Sequence, residues 1–447
     1  MVRSAWRGLL ICLLIGGALP VWGATTETSK KPKENDYELY RILADTIDQV
    51  ERNYVNKVER RALIESAIRG VLEKLDPYSS YIGPDEFDRF HNTLESEFGG
   101  IGIQIGDDDG RIQIISPMYG TPAYRAGLLA GDIILEINGT KTDGLALDEA
   151  IEKLKGDEGT SVTLSVLHSG DKKAETVTIQ REKIHIDTVL GDTRNSDGKW
   201  QYMVDPKNRI GYIRLTAFSR NTPTELQQVL TQLSEKKMRA LILDLRNDPG
   251  GLLSSAIEVS DLFVSKGRIV STKGRNSPER VWDAHREGTF EGFPMVVLVN
   301  RFSASASEIV AACLQDNKRA TIIGERTWGK GSVQNVIELE NGHSALKLTT
   351  AAYRRPNGKN IHRFPEAKPT DEWGVMPDSN HEIRLSDAEI VALNKDRRAR
   401  DIVQTPGKNA VAMSEAEKAA QTKSSPVVDR QLEAAMTYLT TELAKVP

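Results

Sequence analysis

Two apolar stripes open the patterned part of the chain. Leu39, Ile42, Leu43, Ile47, Val50 and Tyr54 recur at three- and four-residue intervals, and Ile64, Ile68, Val71, Leu72 and Leu75 repeat that spacing, so each set marks one face of a helix. Asp76-Pro77 ends the second stripe, because proline lacks the backbone donor a helix needs. A similar stripe, Val428, Leu432, Ala435, Met436, Leu439 and Leu443, follows Pro426. Faces of this kind must be covered, either by the rest of the chain or by a second subunit. Between residues 98 and 183 the period shortens to that of alternating strands separated by Gly-rich turns. From Ile210 to Ile383, buried-type runs such as Ala240 to Leu245 and Met295 to Asn300 alternate with helical segments, the pattern of a layered core. The expected fold is therefore multidomain α/β (α+β), with a helical N-terminal region, a β-rich unit, a layered α/β core and a helical C-terminal tail.

Length and composition agree with several folded domains. At roughly 150 residues per domain, 447 residues make about three. Hydrophobic residues are 39% and charged residues 27%, which excludes disorder, collagen and a multi-span membrane protein. The balance of 59 Lys and Arg against 63 Asp and Glu leaves no basic surplus for phosphate backbones, so no nucleic-acid partner is expected. Arg3 and Arg7 precede the apolar run from Leu9 to Leu19, and Val21-Trp22-Gly23 offers a small residue at a cleavage point. That arrangement predicts a signal peptide over 1–23 and an exported, periplasmic protein, with an uncleaved membrane anchor as the alternative. Cleavage removes Cys12 and leaves Cys313 alone, so no internal disulfide is available and stability must come from core burial. Ala311-Ala312-Cys313-Leu314 reads as the apolar face of a helix, a poor setting for a nucleophile.

The segment Phe98-Gly99-Gly100-Ile101-Gly102-Ile103-Gln104-Ile105 has the glycine spacing of a dinucleotide loop, but strand alternation and Asp107-Asp108-Asp109 follow it where a helix should begin. Three carboxylates there would repel a pyrophosphate. Together with Ala126-Gly127, Gly131-Asp132-Ile133-Ile134-Leu135 and Ile137-Asn138-Gly139, the segment resembles a PDZ domain. In such a domain a loop of backbone N–H groups takes a peptide's terminal carboxylate and the peptide adds as a strand, a role that would fall here to Gly99, Gly100, Ile101, Gly102 and Ile103.

Chemistry is expected at three junctions that follow strand ends. In Asp244-Leu245-Arg246-Asn247-Asp248-Pro249-Gly250-Gly251 the glycines let backbone N–H groups approach a ligand, as an oxyanion hole requires, although a tight turn would look the same. In Ser303-Ala304-Ser305-Ala306-Ser307-Glu308 any of the three serines could cap the following helix or attack a substrate, and Ser305 with Glu308 fits a capping box. Spacing does not choose among Ser303, Ser305 and Ser307. The third, Gly324 to Ser332, nearly fits a phosphate loop, but Gly331 stands where Ser or Thr must bind magnesium and a strand pattern follows. Lys330 therefore needs another role. Desolvated beside Trp328 and Val333 it could act as a neutral base, although lowering a lysine pKa to near 7 costs roughly 4 to 5 kcal/mol.

These motifs, Ser-Ala-Ser-Ala-Ser-Glu-Ile from Ser303, Leu-Gln-Asp-Asn-Lys-Arg-Ala from Leu314 and Gly-Lys-Gly-Ser-Val-Gln from Gly329, closely resemble those of the carboxyl-terminal processing peptidases, or tail-specific proteases. Leu75 to Tyr81, Asp244 to Gly251 and Tyr353 to Lys359 extend the likeness over roughly residues 36 to 385. The resemblance implies a crotonase/ClpP-like peptidase core with Ser305 as nucleophile, Lys330 as general base and Gln334 orienting the lysine. It also implies an oxyanion hole from Gly250 or Gly251 and the Ala306 N–H. Trp328 and Arg354-Arg355 depart from the family's usual residues beside the site and remove no catalytic group.

The expected organisation is a linker over 24–35, a helical region over 36–96, a PDZ domain over 97–185, a Ser-Lys peptidase core over 186–385 and a helical tail over 386–447 that serves assembly. The expected activity is hydrolysis of peptide bonds in proteins or peptides with accessible apolar C-termini, by a homo-oligomer (dimer or higher) that an adaptor protein could assist. No cofactor is implied, and the seven histidines include no ligand-like pair on one helix. The alternative is a catalytically silent PDZ scaffold or adaptor of the cell envelope.

Overall fold

The computed structural model describes residues 35–87, 97–403 and 427–445. The signal peptide and nearly all of the linker fall outside the described residues. Contacts divide the chain into two compact units between Ala67 and Ile68. In the first, Asn35 caps the helix Asp36–Asn53 by accepting the Tyr37 N–H. The stripe predicted for this helix forms but is uncovered: none of its residues is buried, and Tyr37, Tyr40 and Ile42 are 75%, 72% and 59% exposed.

In the second unit, residues 103–180 build an antiparallel sheet in the order Ile103–Asp108, Arg111–Pro117, Ile133–Ile137, Ser161–Leu167 and Glu175–Gln180. Strand alternation sets its core. Val162, Leu164 and Val166 turn inward to meet Ile112, Ile114, Ile134 and Ile137, while Ser161, Thr163 and Ser165 face outward. Asn138 and Gly139 both take positive φ, as a two-residue hairpin turn requires. Ile103–Asp108 lies at the sheet edge, and the amphipathic helix Leu147–Leu154 packs beside it.

The core layer is a mixed sheet in which Ile210–Leu215, Ala240–Asp244, Met295–Val299 and Thr321–Gly324 run parallel and adjacent in chain order, with Val189–Leu190 and Met203–Asp205 antiparallel at Ile210–Leu215. Sequential order with crossovers of one hand puts the connecting helices on one face. Thr222–Glu235, Leu253–Asp261 and Ala306–Asp316 lie there, packing on Ile213, Leu215, Leu241, Leu243, Val297 and Val299. The alternate residues Ile210, Tyr212, Ala240, Ile242, Val296, Leu298 and Ile323 face the other side, where the helix Arg430–Ala444 covers them with Ala435, Leu439 and Leu443. Much of the C-terminal stripe read from sequence as an assembly surface is therefore used inside the chain, because this topology leaves one face of the sheet without a crossover helix.

A second sheet places the remaining site elements. Its hairpin, Ser332–Leu339 with Ser344–Arg354, sets Gln334 opposite Thr349, and Ser80–Ile82 and Arg268–Lys273 flank the long strand.

Candidate active site

The strand Met295–Val299 is wholly buried and delivers a tight loop into the helix Ala306–Asp316. The structure separates the three serines that the sequence left equivalent. Ser303 donates its hydroxyl to the Leu245 carbonyl at 2.8 Å and receives the Asn300 N–H, while Ser307 donates to the Asp248 carbonyl at 3.0 Å. Both hydroxyls serve the backbone. Ser305 holds no carbonyl; it caps the helix at φ 58° and ψ −113°, a strained conformation for a residue with a Cβ that costs about 1 to 3 kcal/mol. Its N–H donates to Glu308 Oε2 at 2.9 Å, and the buried Tyr353 hydroxyl faces its side chain.

The Pro-Gly-Gly turn presses directly on this elbow. Gly250, at φ 95°, leaves room for no side chain, since a Cβ would lie 2.6 Å from the Ala304 carbonyl oxygen and 2.7 Å from the Ala306 nitrogen. Its N–H already donates to Asp248 Oδ1 at 2.8 Å. The N–H groups of Gly251 and Ala306 have no partner among the described residues. Of the two glycines left open by the sequence, Gly251 is thus the one with a donor to offer, and Gly250 supplies the close approach.

Lys330 lies on the loop before Ser332–Leu339. Burial lowers its pKa, the nearby Lys347 ammonium lowers it further, and Glu308 acts in the other direction. Its Nζ lies 5.1 Å from the centre of the Tyr78 ring, and no hydrogen bond joins it to Ser305 among the described residues. Gln334 is close in sequence but does not bond the lysine. Its Nε2 donates to Ser332 Oγ and Thr349 Oγ1, and Thr349 in turn donates to Asp76 Oδ1. Asp76 also accepts the Tyr78 and Ser79 N–H groups, so Gln334 is tied through Thr349 to the segment whose Tyr78 ring lies against the Lys330 amine.

Sequence reasoning read Glu308 as a capping residue, which is half of its role. Fully buried, it accepts the Ser305 and Lys330 N–H groups on Oε2 and the Gly329 N–H and Thr327 hydroxyl on Oε1. One carboxylate therefore fixes the nucleophile elbow against the lysine loop, and burial pushes its pKa up against those four donors. The two departures from the motif have separate fates. Trp328 stands half-exposed at the rim, whereas Arg355 forms a bidentate pair with Asp316.

In the β-rich unit, Gly99 and Gly100 pair with Lys183 and Glu182 respectively, and the Ile101 side chain is buried. The Gly102 carbonyl accepts the Met118 N–H and the Thr121 hydroxyl, and the Ile101 carbonyl accepts the Ala123 N–H. The N–H groups of Ile101 and Gly102 have no partner among the described residues, at the mouth of the edge strand that begins with Ile103.

Comparison with known proteins fixes the family. The profile described as peptidase family S41 matches residues 209–380, the PDZ domain profile matches 90–167, and that of the activating protease CtpB N-terminal domain matches 22–85. A carboxy-terminal-processing protease of Bartonella bacilliformis is 39% identical over 352 residues, covering 77% of this chain and 76% of that protein. The chain belongs to the carboxy-terminal processing protease family. Another relative, carboxy-terminal processing protease CtpA of Bacillus subtilis, is 34% identical over 359 residues, covering 79% of this chain and 74% of that one. The solved photosystem II D1 C-terminal processing protease is 30% identical, with a TM-score of 0.43 over 77% of this chain and 92% of its own. This carboxy-terminal processing protease is accordingly a serine-type peptidase in which a PDZ domain accompanies an α/β core. The silent-scaffold alternative gives way to that membership.

Proposed function

We propose that this peptidase works through Ser305 and Lys330 and selects substrates by their C-terminal tails, and that it is exported and self-associates. The observation that carries the dyad is the single carboxylate of Glu308, which holds the backbone of Ser305 and of Lys330 together. A lysine disfavoured as a cation by burial and by Lys347 can take the Ser305 proton once its amine turns from the Tyr78 ring. Ser305 Oγ then attacks the scissile carbonyl carbon, and the developing oxyanion meets the Gly251 and Ala306 N–H groups. Lys330 returns the proton to the leaving amine, and water hydrolyses the acyl-enzyme by the same route. Ser305→Ala and Lys330→Ala should each abolish cleavage with losses that do not add, because the two groups act as a unit. Turnover retained by either purified variant would refute the assignment.

Tail recognition is supported by the edge position of Ile103–Asp108, the Ile101 and Gly102 N–H groups beside it that have no partner among the described residues, and the helix Leu147–Leu154 along it. An apolar tail would add as a strand with its carboxylate on those donors. Amidating the C-terminus of a substrate peptide should raise KM, and an equal KM for both peptides would remove this role. Export rests on the Arg3, Arg7 and Leu9 to Leu19 pattern, and periplasmic fractionation tests it. Self-association is assigned to the uncovered stripe of Asp36–Asn53 meeting a second copy of the chain; light scattering of the mature protein should find a dimer or larger, and a monomer overturns it. No adaptor is required by this scheme, and a purified protein that cleaves unaided would show that.

A further inference from the structure

Asp248 is 0% exposed, between the oxyanion turn and the nucleophile elbow. It stitches the two together. Its carbonyl accepts the Ala304 N–H at 3.0 Å and the Ser307 hydroxyl at 3.0 Å, and its Oδ1 accepts the Gly250 N–H at 2.8 Å. The other carboxyl oxygen, Oδ2, is buried without a hydrogen-bond partner among the described residues.

Among the described residues no cation faces this carboxyl. On its own segment Arg246 is bound to Asp244 and Asp429. Arg301, on the loop into the helix, pairs with Glu325 and Asp387, and Glu308 on the helix is committed to Ser305, Thr327, Gly329 and Lys330. Arg220 and Glu258, on the neighbouring Phe218 segment and the helix Leu253–Asp261, are exposed. The Ser307 hydroxyl lies beside the carboxyl and favours its charged form, but it is donated to the Asp248 carbonyl. An ionised carboxyl would thus be held by the Gly250 N–H with its second oxygen bare in the interior, far costlier than a neutral acid with one unsatisfied hydroxyl. Burial accordingly moves its pKa well above the ordinary carboxyl range. A negative charge here would also sit one hydrogen bond from the donors that must receive the oxyanion.

We infer that Asp248 is a positioning residue that works as a neutral carboxylic acid, holding the Gly250-Gly251 turn so that its free N–H faces the carbonyl attacked by Ser305. Oδ1 is then the acceptor of the Gly250 N–H, and Oδ2 carries the proton. The inference rests on the reading of Ser305 as nucleophile.

The test compares wild type, Asp248→Asn and Asp248→Ala as full mature chains cleaving a peptide with a free C-terminus, with Ser305→Ala alongside. Asparagine keeps the acceptor and the neutrality, so kcat and KM should stay within about threefold of wild type. Alanine should lower kcat by about tenfold or more at unchanged KM, since the contact matters only when the oxyanion forms. A difference infrared spectrum of wild type minus Asp248→Asn near neutral pH should contain the C=O stretch of a protonated carboxyl. Carboxylate bands alone, an asparagine variant as impaired as alanine, or an alanine variant at wild-type kcat would each overturn the inference. Should alanine fail to fold, the asparagine kinetics and the infrared band still decide it. Turnover by Ser305→Ala would instead refute the nucleophile assignment, and the infrared band reads the state of Asp248 independently of that.

Discussion

Replacing Gly250 by alanine tests how closely the oxyanion turn is fitted to the elbow. Two penalties arise, and they can be measured apart. The first is conformational: φ of 95° is a region that an L side chain rarely adopts, at a cost of about 1 to 3 kcal/mol. The second is a collision, because the new Cβ would meet the Ala304 carbonyl oxygen at 2.6 Å, the Ala306 nitrogen at 2.7 Å and the Ser305 Cβ at 2.9 Å. Ordinary contact begins at 3.4 Å, so the turn and the elbow must separate by about 0.8 Å, and backbone atoms cannot swing aside. Misplacement on the scale of 1 Å can cost about 100-fold, and loss of an oxyanion donor about 100- to 1,000-fold in kcat. Gly292 supplies the control, for its φ of 90° matches while a Cβ there would meet nothing within 4 Å. Gly292→Ala should therefore lose stability in urea denaturation and keep its kcat. Gly250→Ala should lose more stability than that, together with about 100-fold or more in kcat. If Gly250→Ala cleaved a tailed peptide with a kcat within about twofold of wild type, the proposed fit of turn to nucleophile would be wrong.

Three further outcomes follow from particular contacts. The Lys347 ammonium helps to lower the pKa of Lys330, so Lys347→Met should raise that pKa and move the rising limb of the kcat/KM profile to higher pH; an unmoved limb would show that the two amines do not interact. Leu439→Ala, in the helix that closes the parallel sheet, should cost about 2 to 5 kcal/mol in urea denaturation, and a loss under about 0.5 kcal/mol would mean that the helix is not part of the core. Cys313 is buried with its thiol pushed up to about 12, so thiol reagents should leave both the native protein unlabelled and its activity unchanged; rapid labelling without unfolding would contradict that burial.

Much of this arrangement is legible in the sequence because period and turn chemistry report local structure. The alternation of Ser161 to Leu167, the Asn138-Gly139 turn and the buried runs Ala240–Asp244 and Met295–Val299 all take the forms their patterns predict. What the pattern cannot carry is the destination of a hydroxyl or an amide. Ser303, Ser305 and Ser307 are alike until Leu245 and Asp248, more than 50 positions away in the chain, offer carbonyls to two of them. Gln334 is likewise diverted to Thr349 by the register of a hairpin, which spacing from Lys330 does not reveal. Asp248 looks like an ordinary turn residue beside proline, and only its burial without a counter-charge marks it out. The terminal stripes are indistinguishable in period, yet one is open and the other covers a sheet.

The placement of Arg430–Ala444 also bears on when the protein can become itself during synthesis. The chain is made from its N-terminus, so the last described helix emerges after every strand it has to cover. Until then Ile210, Tyr212, Ile242, Val296 and Leu298 have no lid, and the sheet that carries the nucleophile elbow is a half-built layer exposing apolar side chains to whatever chaperone or channel holds it. A stalled or shortened chain lacking this helix would contain every residue of the site and still leave one face of its central sheet uncovered.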